Sequence, residues 1–129
     1  MGSMKNEKIF SWEICSGKYV SKEVDKSFYK YGETIIPIEL RECFDIQQYQ
    51  NGDEIEMKVI FKGKEYITSI RFENNFNRSK LILGRELRNE VARYIDVSCC
   101  DGNYEKNIVK AIFTKEDDKR YLLSLRIEI

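Results

Sequence analysis

The sequence predicts a mainly β domain with two short helices, arranged as an open, seven-stranded barrel with an internal twofold duplication. Three observations predict it. First, two neighbouring runs alternate with period two, Ile55, Met57, Val59 and Phe61 in one, Tyr66, Thr68, Ile70 and Phe72 in the other. A strand that buries one face shows that pattern. Second, only residues 37–45 and 84–94 carry apolar residues at helical spacing. Third, the second half of the chain echoes the first. Glu39-Leu40-Arg41 returns as Glu86-Leu87-Arg88, Ile35-Ile36 as Ile82-Leu83, and Lys58-Val59-Ile60-Phe61 as Lys110-Ala111-Ile112-Phe113. Residues 66–73 return as 121–128, with Ser69, Arg71 and Glu73 matched by Ser124, Arg126 and Glu128. Two strand–helix–hairpin units plus one leading strand close most of a barrel, which limits exposed edges.

The elements follow in order. Met1-Gly2-Ser3 before Met4 reads as a cloning remnant, so 4–129 is taken as one domain. Residues 8–14 alternate, with Phe10, Trp12 and Ile14 on one face, and read as the first strand. Ser16-Gly17-Lys18 is a turn, and 19–33 is a polar arm with Lys22, Lys26 and Lys30. A short strand at 34–36 leads into a helix that opens at Pro37, where a missing N–H costs nothing. Asn51-Gly52-Asp53 turns the chain into the hairpin 54–61 and 66–73, which reverses at Lys62-Gly63-Lys64. Residues 74–78 form a second polar connection. A strand at 79–83, a helix at 84–94 and a last hairpin of 107–114 and 121–129 complete the chain. Leu87, Val91, Tyr94 and Ile95 share one side of the second helix.

Composition narrows the function classes. With 42% hydrophobic and 34% charged residues the chain is an ordinary globular one, and no apolar run approaches the roughly 20 residues of a spanning helix. No secretory segment is visible, so a cytoplasmic location without a membrane partner is expected. Net charge is zero and the pI about 6.4. That argues against non-specific coating of nucleic acid, which rests on phosphate neutralisation. A reader whose positive charge is local stays open. The chain has no histidine, and Cys15, Cys43, Cys99 and Cys100 lack metal-ligand spacing, so no metal and no cofactor are expected. Serine or cysteine nucleophile chemistry that needs histidine is excluded. Asp53, Glu56 and Lys58 carry the end of a metal-dependent nuclease signature. The same residues are the outward positions of an alternating strand, and the upstream Pro-Asp is absent because Ile38 follows Pro37. The chain is therefore expected not to be an enzyme.

The order Val20, Asp25-Lys26-Ser27, Ile35-Ile36-Pro37, Glu42-Cys43-Phe44 resembles the opening of the B3-like DNA-binding pseudobarrel. That family includes plant transcription factors and the recognition domains of some restriction endonucleases. The resemblance covers most of the chain, since the duplicated halves belong to it; unlike the plant members this chain lacks a strongly basic arm, and in general appearance it looks more like the restriction-enzyme branch. It implies a wrench-like grip in which two arms, 21–31 and 74–80 here, enter the major groove of double-stranded DNA. It also implies service to a larger assembly, a nuclease or translocase domain or subunit.

The residues fit that implication. In the first arm Lys22, Lys26 and Lys30 suit phosphates, with Ser27 and Tyr29 as further hydrogen-bonding groups. In the second, Asn74, Asn75 and Asn77 suit adenine edges, and Arg78 can bridge guanine O6 and N7. Lys80 and Arg71 would position the backbone. Glu23 and Asp25 weaken the first arm, unless Asp25 accepts from a cytosine or caps a turn. Each feature also has a plain reading: Asn-rich loops turn chains, and spaced lysines are solvated charge. A protein-binding regulatory module that uses a barrel edge or the acidic stretch 116–118 is the rival function.

Overall fold

Alternation, turn chemistry and one long-range hydrogen bond account for the architecture of the computed structural model, which describes residues 7–15, 19–73, 78–98 and 108–128. Nine strands form one sheet: β1 (Glu7–Ile9), β2 (Trp12–Ile14), β3 (Tyr19–Glu23), β4 (Glu33–Ile36), β5 (Glu54–Phe61), β6 (Lys64–Phe72), β7 (Ser79–Ile82), β8 (Ile108–Asp117) and β9 (Arg120–Glu128). One α-helix, α1 (Arg85–Ser98), a wide helical turn at Ser27–Tyr31 and a 3-10 helix at Ile38–Phe44 complete the described residues. Lys62 and Gly63 both take positive φ, as a two-residue hairpin turn requires.

The spatial order is β1-β2-β3-β8-β9-β5-β6-β7-β4, with β5 and β9 parallel and the other neighbours antiparallel. β2 and β4 lie near opposite ends of this order. Yet the Trp12 indole N–H donates to the Ile35 carbonyl at 3.0 Å. The sheet must therefore curl until its ends meet, which gives an open barrel. Inside, Trp12, Phe44, Phe113 and Tyr121 form an aromatic cluster, with Phe44 centroids 5.8, 6.0 and 5.2 Å from the other three. Phe44 arrives from the 3-10 helix, and Leu87, Val91 and Ile95 of α1 are buried in the same core. No described helix is long and apolar enough to cross a membrane.

Four expectations are corrected. Among the described residues nine strands replace seven, because 8–14 holds a hairpin and 19–23 is a strand. The hairpin hides behind apparent alternation: Phe10 turns the chain at φ +55°, without glycine or proline. β3 hides because its inward face includes a lysine, Lys22. The helix at 37–45 is a 3-10 segment, and the second helix runs on to Ser98. The order strand, helix, hairpin does occur twice, but the pairing does not repeat. Exchange of the halves would place β8 beside β6 and β9 beside β4, whereas β8 pairs with β3.

Candidate nucleic-acid interface

The short ladder of β4 against β7 positions the predicted arms. The pairing is antiparallel, with Glu33 opposite Ile82 and Ile36 opposite Ser79. The turn 27–31 enters at the Glu33 end, and the second connection enters at the Ser79 end. The two arms are thus rooted at opposite ends of one ladder. The outward face there carries a cross-strand row of Ile35, Lys80, Arg71 and Glu54. Ser79 is fully buried, and its hydroxyl donates to the Ile36 carbonyl at 3.1 Å, which fixes the second root. The first root is fixed by the Leu83 N–H, which donates to the Gly32 carbonyl at 2.8 Å.

The first arm is not the extended polar finger the sequence suggested. Residues 21–23 belong to β3, and Val24 and Phe28 are buried in the core. Lys22 is buried, with its ammonium on Asp25 at 3.0 Å and on the Ser11 hydroxyl. It is an internal tie between the hairpin tip and the turn, so its expected role as an outstretched phosphate contact is corrected. Asp25 caps the turn: its carboxylate accepts the Phe28 N–H at 2.9 Å. The half-buried Tyr29 donates its hydroxyl to Asp96 of α1, so it too is an anchor rather than a projecting group. Gly32 closes the turn at φ +65°, and a Cβ there would meet the Arg88 Cβ at 2.9 Å. α1 therefore backs the turn closely because residue 32 has no side chain. What faces solvent is Glu23, Asp25, Lys26, Ser27, Lys30 and Tyr31.

Of the second arm, Asn74, Asn75 and Asn77 lie outside the described residues. Arg78, Lys80 and Arg71 lie within them, and each meets a carboxylate. Arg78 holds Glu73 through two nitrogens at 3.1 and 3.4 Å, Lys80 lies 3.5 Å from Glu33, and Arg71 lies 3.0 Å from Glu54. The Arg78 hydrogen bond, with Lys80 and Arg71 adding to it, holds the Glu73 carboxyl below its ordinary value. Three cations therefore converge on this root. The carboxylate partners were missed at the sequence level because cross-strand register, not sequence spacing, brings Glu33 to Lys80 and Glu54 to Arg71.

Where the sheet ends meet, a cleft of about 430 Å³ opens between the β1–β2 hairpin and the ladder. Trp12 lies in its lining, with Lys22, Asp25 and Ser27 from the first-arm side and Thr34 and Lys80 from the ladder. The cleft brings together three of the predicted residues, Lys22, Ser27 and Lys80. Phe10 at its rim was not foreseen; its signal is an aromatic residue in a tight turn, and it is 84% exposed.

The fold is that of the N-terminal domain of Helicobacter pylori LlaJI.R1. The two structures superpose with a TM-score of 0.58 at 22% identity, over 84% of this chain and 79% of that one. At that identity the likeness is one of fold. No family model matches the chain, and no curated protein matches it.

The nuclease-like trio is placed apart from the cleft. Asp53 accepts the Gln50 N–H at 2.8 Å and shapes the turn before β5, while Glu56 and Lys58 are exposed on the outward face of that strand. Among the described residues no group of three histidine, cysteine or acidic side chains could hold a metal ion. Cys15 and Cys43 are half-buried, and Cys99 and Cys100 lie outside the described residues.

Proposed function

We propose that this chain recognises double-stranded DNA by sequence, as the targeting domain of a restriction-type system. The observation that carries the reading is the antiparallel β4–β7 ladder with an arm rooted at each end. Four residues of strand span roughly 10 Å, close to the ~12 Å width of the major groove. A ladder of that length can face the groove, with the exposed residues of the 26–31 turn against one wall and the second connection toward the other. Lys26 and Lys30 take phosphates on one side, with Ser27 beside them. Arg78 reads guanine on the other, with Asn74, Asn75 and Asn77 offered to adenine, and Lys80 and Arg71 set the register. The partly exposed pairs of Arg71 with Glu54 and of Arg78 with Glu73 are weak, so both guanidinium groups can turn to DNA. The domain binds and does not cut; a nuclease or translocase domain or subunit acts on the bound site. Support comes from the resemblance of residues 20–44 and from the shared fold with a domain that is itself the N-terminal part of a longer protein.

Selection of bound oligonucleotides from random duplexes, followed by fluorescence anisotropy across salt concentrations, tests this. A selected site is expected, with affinity falling steeply as salt rises. Arg78→Ala should relax preference at one position. Lys26→Ala should weaken all sequences alike and reduce the salt slope by about one. Absence of duplex binding at low salt, with capture of a protein partner instead, would favour the regulatory-module reading.

A further inference from the structure

We infer that the cleft between the sheet ends receives a single nucleobase turned out of the duplex. The inference rests on the DNA reading above and adds a ligand class to a cleft whose Ser27 and Lys80 that reading already sets against DNA. Size permits it, since about 430 Å³ lies in the range of pockets that take small organic groups, ~300–1,000 Å³. Charge favours it over a phosphate. The two ammonium groups in the lining, Lys22 and Lys80, are matched by Asp25 and Glu33 at 3.0 and 3.5 Å. A site with balanced charge offers a phosphate no net attraction. It does offer donors and acceptors, with the hydroxyls of Ser11, Ser27 and Thr34 nearby, to the edge of a neutral planar ring.

Phe10 supplies the stacking surface. It sits at the hairpin tip with φ +55°, a conformation that bulky residues rarely adopt, and the residue is 84% exposed. Ser11 beside it is tied down, its carbonyl accepting the Glu23 N–H at 2.9 Å, so the tip is held in place. The half-exposed Ile35 and the ring of Pro37 form the apolar wall on the ladder side. A base entering between them stacks on an aromatic face that water now covers. The cleft adjoins the ladder proposed to face the groove, so the base needs no long path.

A mismatch scan tests the inference. Each position of the selected duplex is mismatched in turn, and affinity is measured with the full chain. Extrusion costs the pairing energy, so a mismatch at the extruded position should tighten binding by roughly tenfold or more. 2-Aminopurine placed there should brighten several-fold on binding. Phe10→Ala should abolish both effects, and Phe10→Tyr should restore them. A flat scan with no brightening, or an unchanged profile in Phe10→Ala, overturns the inference and leaves DNA recognition standing. Failure of any duplex to bind overturns both.

Discussion

Replacing Trp12 by phenylalanine cuts the link that holds the two ends of the sheet together. Trp12 is 1% exposed, packs edge-on against Phe44 at 5.8 Å, and donates to the Ile35 carbonyl at 3.0 Å. The substitution removes that bond, a net loss of about 1 kcal/mol. It also removes two buried ring carbons, at about 0.8 kcal/mol each, and the void left behind adds to this. The expected destabilisation is about 2–3 kcal/mol. With a urea slope of roughly 2 kcal/mol per molar, the midpoint falls by about 1–1.5 M. Because Trp12 is the single tryptophan, unfolding is followed by far-ultraviolet circular dichroism rather than by indole fluorescence. The control is Tyr121→Phe, which loses one hydroxyl bond to the Cys43 carbonyl at 2.9 Å but joins no sheet ends, and should cost only about 1 kcal/mol. Amide exchange should rise in β2 and β4 of Trp12→Phe and not in Tyr121→Phe. A Trp12→Phe midpoint within about 0.3 M of wild type, with β4 exchange unchanged, would refute the argument that this contact closes the barrel.

Three further outcomes follow from the same geometry. Gly32→Ala combines left-handed strain, about 1–2 kcal/mol, with a 2.9 Å approach to Arg88, whereas Gly84→Ala carries the strain with nothing nearer than 3.8 Å; thermal melting should rank Gly32→Ala clearly lower. Lys22→Met removes a buried ammonium while keeping its stem, so stability should change by no more than about 1–2 kcal/mol and the salt slope of DNA binding not at all, in contrast to Lys26→Ala. The Glu73 carboxyl is held below its ordinary value of 4.5, first by the Arg78 hydrogen bond. Its contribution to stability is thus complete above pH 4.5 and lost as pH falls through the lowered value. The melting-temperature difference between wild type and Glu73→Gln should be flat above that pH and shrink below it.

The hairpin of β5 and β6 was legible because both strands bury alternate residues, and period two survives in the sequence. The backing helix was legible for the same reason at period 3.6, through Leu87, Val91 and Ile95. β3 was not, since an inward lysine breaks its pattern and is rendered tolerable only by Asp25 and Ser11. The turn 27–31 was read as an arm because its composition is polar; the anchors Phe28 and Tyr29 were visible as residues, but their partners lie elsewhere in the chain. Among the site residues, the exposed cations Lys26, Lys30 and Arg71 were correctly placed at the surface, while Lys22 and Tyr29 were not separable from them by type alone.

Local pattern, then, determined the β5–β6 hairpin and the buried face of α1, because face-alternation is written in neighbouring residues. It also marked the segments rich in polar groups that flank β4 and β7. Only the tertiary structure decided that β2 and β4 meet, that the arms root at opposite ends of one ladder, and that a cleft opens between them. Those facts depend on pairing register and on contacts such as Trp12 to Ile35, 23 residues apart, which no local spacing encodes.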